Sequence, residues 1–124
     1  LERNRPPGSI STVSAAVATY ALRRPELARA MVERVLPERA WLQEQLAAAG
    51  WPTYPSVTNF VLARIGTSDE AEDATDWLLR NGIVSRTFGP ANPLRGHLRF
   101  TVRTRADNER LVAAARGWQE RRQA

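Results

Sequence analysis

The residues best suited to chemistry lie in a stretch where apolar and polar side chains alternate, His97-Leu98-Arg99-Phe100-Thr101-Val102-Arg103. A two-residue period is typical of a β-strand with one buried face, which here would hold Leu98, Phe100 and Val102. The opposite face then presents two guanidinium groups, those of Arg99 and Arg103. A guanidinium can bind a carboxylate or a phosphate through two parallel hydrogen bonds. This strand face is therefore predicted to meet an anionic ligand or a partner protein.

The overall charge does not identify that ligand. The 124-residue chain has a net charge of +5, and all 18 of its basic residues are arginine. They are scattered between Arg3 and Arg122 and interleaved along the sequence with 13 carboxylates. A nucleic-acid interface would gather its basic residues into one patch and would lose affinity steeply with added salt. We therefore interpret the arginines as a solvated surface and predict no binding of nucleic acid.

Missing residue types exclude several kinds of site. The chain has no lysine, so it cannot supply an amine nucleophile or the lysine of a Walker-type phosphate loop. It has no cysteine, which removes disulfides, thiolate nucleophiles and cysteine-based zinc sites. With a single histidine, we expect no metal site built by this chain. The length suits one domain, and no apolar run approaches the roughly 18 residues of a membrane span.

The first part of the chain is predicted to be helical after a short extended segment. Residues 1–13 contain Pro-Pro-Gly, which favours an extended or turning path. A first helix is expected over about Val13–Arg23, and a second over about Glu26–Ala49. Pro37 lies inside the second helix, where it removes one backbone donor and predicts a kink near Leu36.

Strands and helices alternate in the rest of the chain. The predicted elements are, in order, a strand at Thr58–Arg64, a helix from Thr67 to about Arg80, a strand at Ile83–Thr87, the strand that begins at His97, and a helix at about Arg105–Arg121. Two [Ser/Thr]-x-x-[Asp/Glu] capping patterns, at Thr67 and Thr104, mark the starts of the two helices. This order predicts an α+β fold, a two-layer sandwich in which helices cover one face of a three-stranded sheet.

Four segments carry a family resemblance when they are taken together. They are Arg5-Pro6-Pro7 ahead of an Ala-rich helix, Pro55-Ser-Val-Thr-Asn-Phe-Val-Leu62, Asn81-Gly-Ile-Val-Ser-Arg86, and His97-Leu-Arg-Phe-Thr-Val102 with Thr104 and Asn108-Glu-Arg-Leu111. The first resembles the segment that follows the cofactor domain in the histidinol-phosphate aminotransferase group. The others resemble that group's "PSxANFxL" strand, its "xGIxVR" strand and its "LRITVGTxEEN" strand–helix corner. The resemblance spans essentially the whole chain.

The resemblance implies a part of a larger enzyme. The group belongs to the class I/II pyridoxal-phosphate aminotransferases of fold type I, whose C-terminal portion forms a small α+β domain. Residues 14–124 would be that domain, and residues 1–13 an extended segment leading into it. A cofactor domain upstream would hold pyridoxal phosphate and its lysine. The enzyme would be a cytoplasmic homodimer, whereas this chain alone would bind no cofactor and would be inactive.

The same resemblance assigns roles to individual residues. Arg99 matches the arginine that pairs with the substrate carboxylate in these aminotransferases. Arg86 matches a second arginine, which lies beside the anionic group of the substrate, often a phosphate. Asn59 is a possible site-lining residue, although a strand-end hydrogen bond also explains it. Arg5 lies in a segment that approaches the partner subunit's active site in related enzymes, and His97 is expected to be an exposed strand residue.

Two other interpretations stay open. Arg103 replaces the small residue, usually glycine, of the family's corner, and this departure looks closer to the threonine-phosphate decarboxylases of corrin synthesis. Those enzymes share the fold and the cofactor. The chain could alternatively act as a free-standing module that binds an anion or a protein through its polar sheet face. A lysine-containing cofactor segment upstream of Leu1 would exclude this module.

Overall fold

The structure, a computed structural model, describes residues 10–124 of the chain. They form parts of two compact units that are divided in sequence between Arg34 and Val35. Most of the predicted segment 1–13, with Arg5, lies outside the described residues, so the predicted domain limits stay a prediction. None of the helices in the described part of the chain is long and apolar enough to cross a membrane.

The first unit contains helix α1, Thr12–Leu22, which begins one residue before its predicted start. Ser11 caps it, because the Ser11 side chain accepts a hydrogen bond from the backbone N–H of Ser14. No residue of α1 is buried. Near its end, the Arg24 guanidinium lies 3.7 Å from the centre of the Tyr20 ring.

Helix α2, Pro25–Ala48, passes through Pro37 without ending. The proline is thus tolerated inside the helix, and the kink expected beside it stays a prediction. In the second unit, Leu42 and Leu46 of α2 are fully buried. These two leucines, four residues apart, lie on one face of the helix and anchor it in the core.

The second unit contains an antiparallel sheet of two strands, β1 at Phe60–Arg64 and β2 at His97–Thr101. Leu62 lies directly opposite Arg99 in this register. Alternate residues of both strands are buried, which confirms the two-residue period predicted for the stretch that begins at His97. The residues between them form the outer face of the sheet.

The predicted third strand, Ile83–Thr87, is not formed, so the sheet of the described residues has two strands rather than three. Only Arg86 pairs, in an isolated bridge with Arg99. On one side of this bridge, the N–H of His97 donates to the carbonyl of Leu94 at 2.9 Å. This bond closes a turn and uses the donor that the next backbone pair between the two segments would need. On the other side, the chain diverges from β2 and leaves a cavity of about 340 Å³.

Two further helices follow the predicted boundaries closely, α3 at Ser68–Arg80 and α4 at Arg105–Gln123. Thr67 and Glu70 form a complete capping box at the start of α3, as predicted. At the start of α4, the Thr104 hydroxyl accepts a hydrogen bond from the backbone N–H of Asp107. These caps fix where each helix begins, close to the end of a strand.

The core lies between the inner face of the sheet and the helices of the second unit. Trp51 is fully buried there, stacked on Phe100 with ring centroids 6.0 Å apart and edge-on to Trp118 at 5.7 Å. Other fully buried members of the core are Leu42, Leu46, Val61, Ala63, Ala74, Leu78, Leu98 and Ala115. The α+β arrangement with helices on one sheet face is thus confirmed, and the outer face is left for other contacts.

Candidate anion-binding site

Arg99 lies in the middle of β2, on the outer face of the sheet. Its backbone is held on both sides, by β1 and by the bridge to Arg86. The side chain is half-buried, and its guanidinium lies 4.3 Å from the centre of the Phe60 ring. This cation–π contact restricts the arginine while leaving its N–H donors available. Arg99 is therefore suited to binding a planar anion such as a carboxylate.

Arg86 lies directly opposite Arg99. The two residues exchange both backbone hydrogen bonds, at 2.9 and 3.0 Å. Residues paired in this way point to the same face of a sheet, with Cβ atoms about 5 Å apart, and two like charges so placed repel each other. Neither guanidinium has a carboxylate partner within residues 10–124. An anion between them would relieve this repulsion, so the pair is a candidate anion-binding site.

The carboxylates of the described residues, unlike the arginines, are confined to the helices. Twelve of the thirteen carboxylates, all except Glu2, lie on α2, α3 or α4. The strands and connectors, residues 49–67 and 81–104, contain no carboxylate but five arginines: Arg64, Arg86, Arg95, Arg99 and Arg103. These segments therefore carry a net positive charge, which favours contact with an anion.

Arg103, which the alternation places on the same face, is engaged by α4. Its Nε atom lies 3.1 Å from Oδ2 of Asp107, in an ion pair across the first turn of the helix. The guanidinium is thus already paired with a carboxylate. Arg99 and Arg86 have no such partner among the described residues, so the candidate site is built on these two, and a contact of Arg103 with a ligand stays a prediction.

A buried polar network fixes the corner that follows β2. Asn108, only 2% exposed, donates from Nδ2 to the carbonyl of Arg103 and to the Glu38 carboxylate, both at 3.1 Å. Its Oδ1 atom accepts from the N–H of Arg103 at 3.1 Å. Arg105 also binds Glu38, with a shortest distance of 3.0 Å. The network ties α2 to the end of β2 and thereby helps to position Arg99.

The remaining predicted residues are placed as follows. Asn59 is exposed, and its backbone carbonyl accepts a hydrogen bond from the N–H of Val102 at 2.8 Å. Any residue could accept this backbone bond, so a role for the Asn59 side chain in the site stays a prediction. His97 is half-buried rather than exposed, and its Nε2 atom lies 3.1 Å from the Tyr54 hydroxyl. Arg5 lies outside the described residues.

Tyr54 is a residue of the outer face that the sequence analysis did not identify. Its backbone N–H donates to the carbonyl of Leu62 at 3.1 Å, next to an isolated bridge between Thr53 and Ala63. A short extended segment is thus added to the free edge of β1. Pro55 follows Tyr54, and a residue before proline favours extended conformations. That preference is the signal that could have predicted the extra pairing.

Four carboxyl groups have pKa values lowered by the hydrogen bonds that they accept: Glu38, Glu70, Asp73 and Asp107. For the pKa of Asp73, the largest cause is Arg121 and the second is the indole N–H of Trp118, 2.6 Å away. Because the unfolded carboxyls have higher pKa values, the unfolded chain binds protons first on acidification. The free energy of unfolding should then stay constant at pH values above the ordinary carboxyl pKa of about 4. It should fall as the pH drops through the lowered pKa values of the folded chain.

Urea unfolding of this chain at about pH 6 and about pH 3 checks the expectation, with the midpoint expected to be lower at the acid pH. The matched variant is Asp73→Asn, in which one of the four groups no longer titrates. Its midpoint should change less between the two pH values than that of the parent chain. Equal parent midpoints at both pH values would show that these hydrogen bonds do not contribute to stability.

Fold and site together define the class of protein, a small α+β domain with a pair of directly opposed arginines on the outer face of its sheet. The family model for aminotransferase class I and II matches residues 1–114. This match covers most of the chain, and the chain therefore belongs to the class I and II aminotransferase family.

Relatives in sequence and structure are consistent with this assignment. Histidinol-phosphate aminotransferase of Ruegeria sp. (strain TM1040) is 36% identical over 102 residues, which are 82% of this chain and 28% of the relative. The structure of histidinol-phosphate aminotransferase from Sinorhizobium meliloti, in complex with pyridoxal-5'-phosphate, has a TM-score of 0.80 at 26% identity and covers 96% of this chain. This chain covers 33% of the Sinorhizobium chain. It thus spans about a third of the length of the proteins that it matches.

The fold is also found in a decarboxylase. The structure of a decarboxylase from Sulfurospirillum multivorans covers 88% of this chain and 32% of its own, with a TM-score of 0.71 at 24% identity. At this level of identity the similarity shows the fold alone. The fold is therefore compatible with more than one reaction, and the reaction has to be argued from the site.

Proposed function

We propose that residues 14–124 are the substrate-binding small domain of a pyridoxal-phosphate-dependent aminotransferase similar to histidinol-phosphate aminotransferase. The observation that carries the proposal is the directly opposed pair of Arg99 and Arg86 with no carboxylate partner in the described chain. Arg99 binds the carboxylate of the substrate, and Arg86 binds a second anionic group such as a phosphate. The substrates are a phosphate-bearing amine or amino acid and a 2-oxo acid.

The role of Arg99 is to orient as well as to bind. A guanidinium that makes two parallel hydrogen bonds fixes both the position and the plane of a carboxylate. Because β2 and the Phe60 ring restrict the arginine, little of its freedom is lost on binding. Orientation of this kind brings the amino group of the substrate into a reactive geometry. Amino acids and 2-oxo acids both carry a carboxylate, so one arginine serves both directions of the transfer.

The residues of this chain do not fit covalent binding of the cofactor, since the chain has no lysine. They fit the anionic groups of a substrate instead. Pyridoxal phosphate, held by a cofactor domain elsewhere in the enzyme, supplies the chemistry of amino-group transfer. The enzyme is a homodimer in this proposal, and the 124-residue chain alone is inactive.

The enzyme that we propose to contain this chain should show the absorption band of bound pyridoxal phosphate. Borohydride should then attach the cofactor irreversibly to a lysine, and peptide mapping should place that lysine outside the 124 residues. The 124-residue chain alone is the matched control and should retain no cofactor after borohydride treatment.

The reaction itself separates the proposal from its alternatives. Consumption of 2-oxoglutarate without release of carbon dioxide is expected for an aminotransferase. Release of carbon dioxide would favour the decarboxylase alternative, which the arginine at position 103 suggested. If borohydride traps no cofactor on the intact protein, the enzyme proposal is wrong and an anion-binding module becomes the better account.

A further inference from the structure

The outer sheet face carries a polar pair, Tyr54 and His97, that the proposed function does not use. We propose that Tyr54 is a further substrate-binding residue, whose hydroxyl donates a hydrogen bond to the anion held by Arg99, and that His97 is its positioning residue. This inference rests on the proposed function and adds one neutral donor to its anion site.

Tyr54 lies in the same row of the sheet as the two arginines. It pairs with Leu62, Leu62 is directly opposite Arg99, and Arg99 is bridged to Arg86. Residues directly opposite one another on neighbouring strands point to the same face. With strands about 4.8 Å apart, the backbone of Tyr54 lies roughly 10 Å from that of Arg99. The Tyr54 hydroxyl lies towards His97, and the Arg99 guanidinium lies towards Phe60. A ligand that both side chains contact would lie between these ends, over Leu62.

His97 holds the tyrosine ring across the outer face. The hydroxyl oxygen of Tyr54 lies 3.1 Å from Nε2 of His97, and the two ring centroids are 5.5 Å apart. Tyr54 therefore reaches over β1 to the strand that carries Arg99. The tyrosine is still 45% exposed, so a ligand on this face can contact it.

The surroundings of the imidazole determine which atom donates. Nδ1 of His97 is buried and has no hydrogen-bond partner among the described residues. A proton on Nδ1 would leave a buried N–H donor unpaired, which proteins avoid more strictly than an unpaired acceptor. We therefore assign the proton to Nε2, which donates to the hydroxyl oxygen of Tyr54. The hydrogen of the hydroxyl is then left for another acceptor.

Among the described residues, no protein acceptor is placed to take that hydrogen. Within residues 10–124, His97 is the one hydrogen-bond partner of the Tyr54 hydroxyl. The residue opposite His97 on β1 is Arg64, which has no acceptor in its side chain. The strands and connectors hold no carboxylate. An oxygen of an anion bound by Arg99 is the acceptor that this arrangement fits.

Calorimetric titration of the pyridoxal-phosphate-bound enzyme with glutarate, a dicarboxylate probe, tests the proposal. Tyr54→Phe removes only the hydroxyl and should raise the dissociation constant for glutarate about tenfold, the effect of a lost hydrogen bond to a charged group. His97→Leu should raise it by a similar factor. His97→Gln should stay within about twofold of the parent, because a glutamine side-chain amide can replace the Nε2–H donor. The double variant Tyr54→Phe/His97→Leu should be no weaker than Tyr54→Phe, since both changes remove one interaction.

Arg99→Ala in the same titration distinguishes a failure of the inference about Tyr54 from a failure of the proposed function. If Tyr54→Phe binds glutarate like the parent while Arg99→Ala binds it weakly, the inference about Tyr54 is wrong and the proposed function stands. If neither variant is weakened, the anion site itself is wrong. If His97→Gln is as weak as His97→Leu, histidine does not act by donating from Nε2. Unchanged melting temperatures in these variants would show that the losses are not caused by unfolding.

Discussion

Replacing Arg99 with alanine in the proposed enzyme should lower kcat/KM for its substrate about 100- to 1,000-fold, because the substrate carboxylate loses a charge-assisted, bidentate partner. Arg99→Lys should recover only part of this loss. A lysine keeps the positive charge but cannot make the two parallel hydrogen bonds that orient the carboxylate. It would also lose much of the stacking on Phe60, where the guanidinium now lies 4.3 Å from the ring centre. Steady-state kinetics on both variants measure the effect.

Arg103→Ala is the matched control for Arg99→Ala. The two arginines are four residues apart, so the alternation places them on the same face of the stretch. Arg103, however, is paired with Asp107 at 3.1 Å. The candidate site is built on Arg99 and Arg86, and an exposed ion pair of this kind contributes little to stability. The kcat/KM of Arg103→Ala should therefore stay within about threefold of the parent. Unchanged kcat and KM in Arg99→Ala would remove the role assigned to Arg99. A large loss in Arg103→Ala would instead place the anion at the corner between β2 and α4.

Substituting Gly96 with alanine should lower the free energy of unfolding by about 3 kcal/mol. Gly96 is buried just before β2, and its carbonyl accepts from the N–H groups of Ile65 and Gly66 at 2.9 and 3.2 Å. An added Cβ atom would lie 2.1 Å from the carbonyl oxygen of Gly66. That oxygen belongs to the backbone, so the start of β2 would have to move away from the end of β1. The effect is steric, because the φ angle of Gly96 is not in the left-handed region.

Gly89→Ala is the control for this substitution. Gly89 also has no left-handed φ, and a Cβ added there would meet no atom within 4 Å. Its effect on the free energy of unfolding should be within about 0.5 kcal/mol. Urea unfolding followed by tryptophan fluorescence measures both variants, since Trp51 and Trp118 are buried in the same core as β2. Equal midpoints for Gly96→Ala and Gly89→Ala would contradict the steric argument.

Much of the fold could be predicted because its signals are local. The capping residues Thr67 and Thr104 bond to groups three residues further along the chain, so their role can be recognised without a tertiary structure. The alternation around Arg99 likewise follows from the geometry of a single strand. In the same way, the sequence places Arg99 on the face away from the core.

The predicted third strand is a feature that local sequence signals do not decide. Residues 83–87 have the composition of a strand, yet only Arg86 pairs with β2. The outcome depends on a competition for the N–H of His97, which a turn through Leu94 wins. A pattern within 83–87 contains no information about that competition. The same reason explains Arg103, whose guanidinium is drawn to Asp107.

The sequence by itself determined the α+β class, the family resemblance, the starts of the helices and the two arginines of the candidate site. These features depend on side-chain direction and on hydrogen bonds between near neighbours in the chain. Only the tertiary structure decided that Arg86 and Arg99 are directly opposed, that Tyr54 meets His97 across 43 residues of sequence, and that Asn108 meets Glu38 across 70. The physical reason is that each polar group binds whichever partner the packed fold brings within reach, and packing joins residues whose separation in the chain carries no signal of their contact.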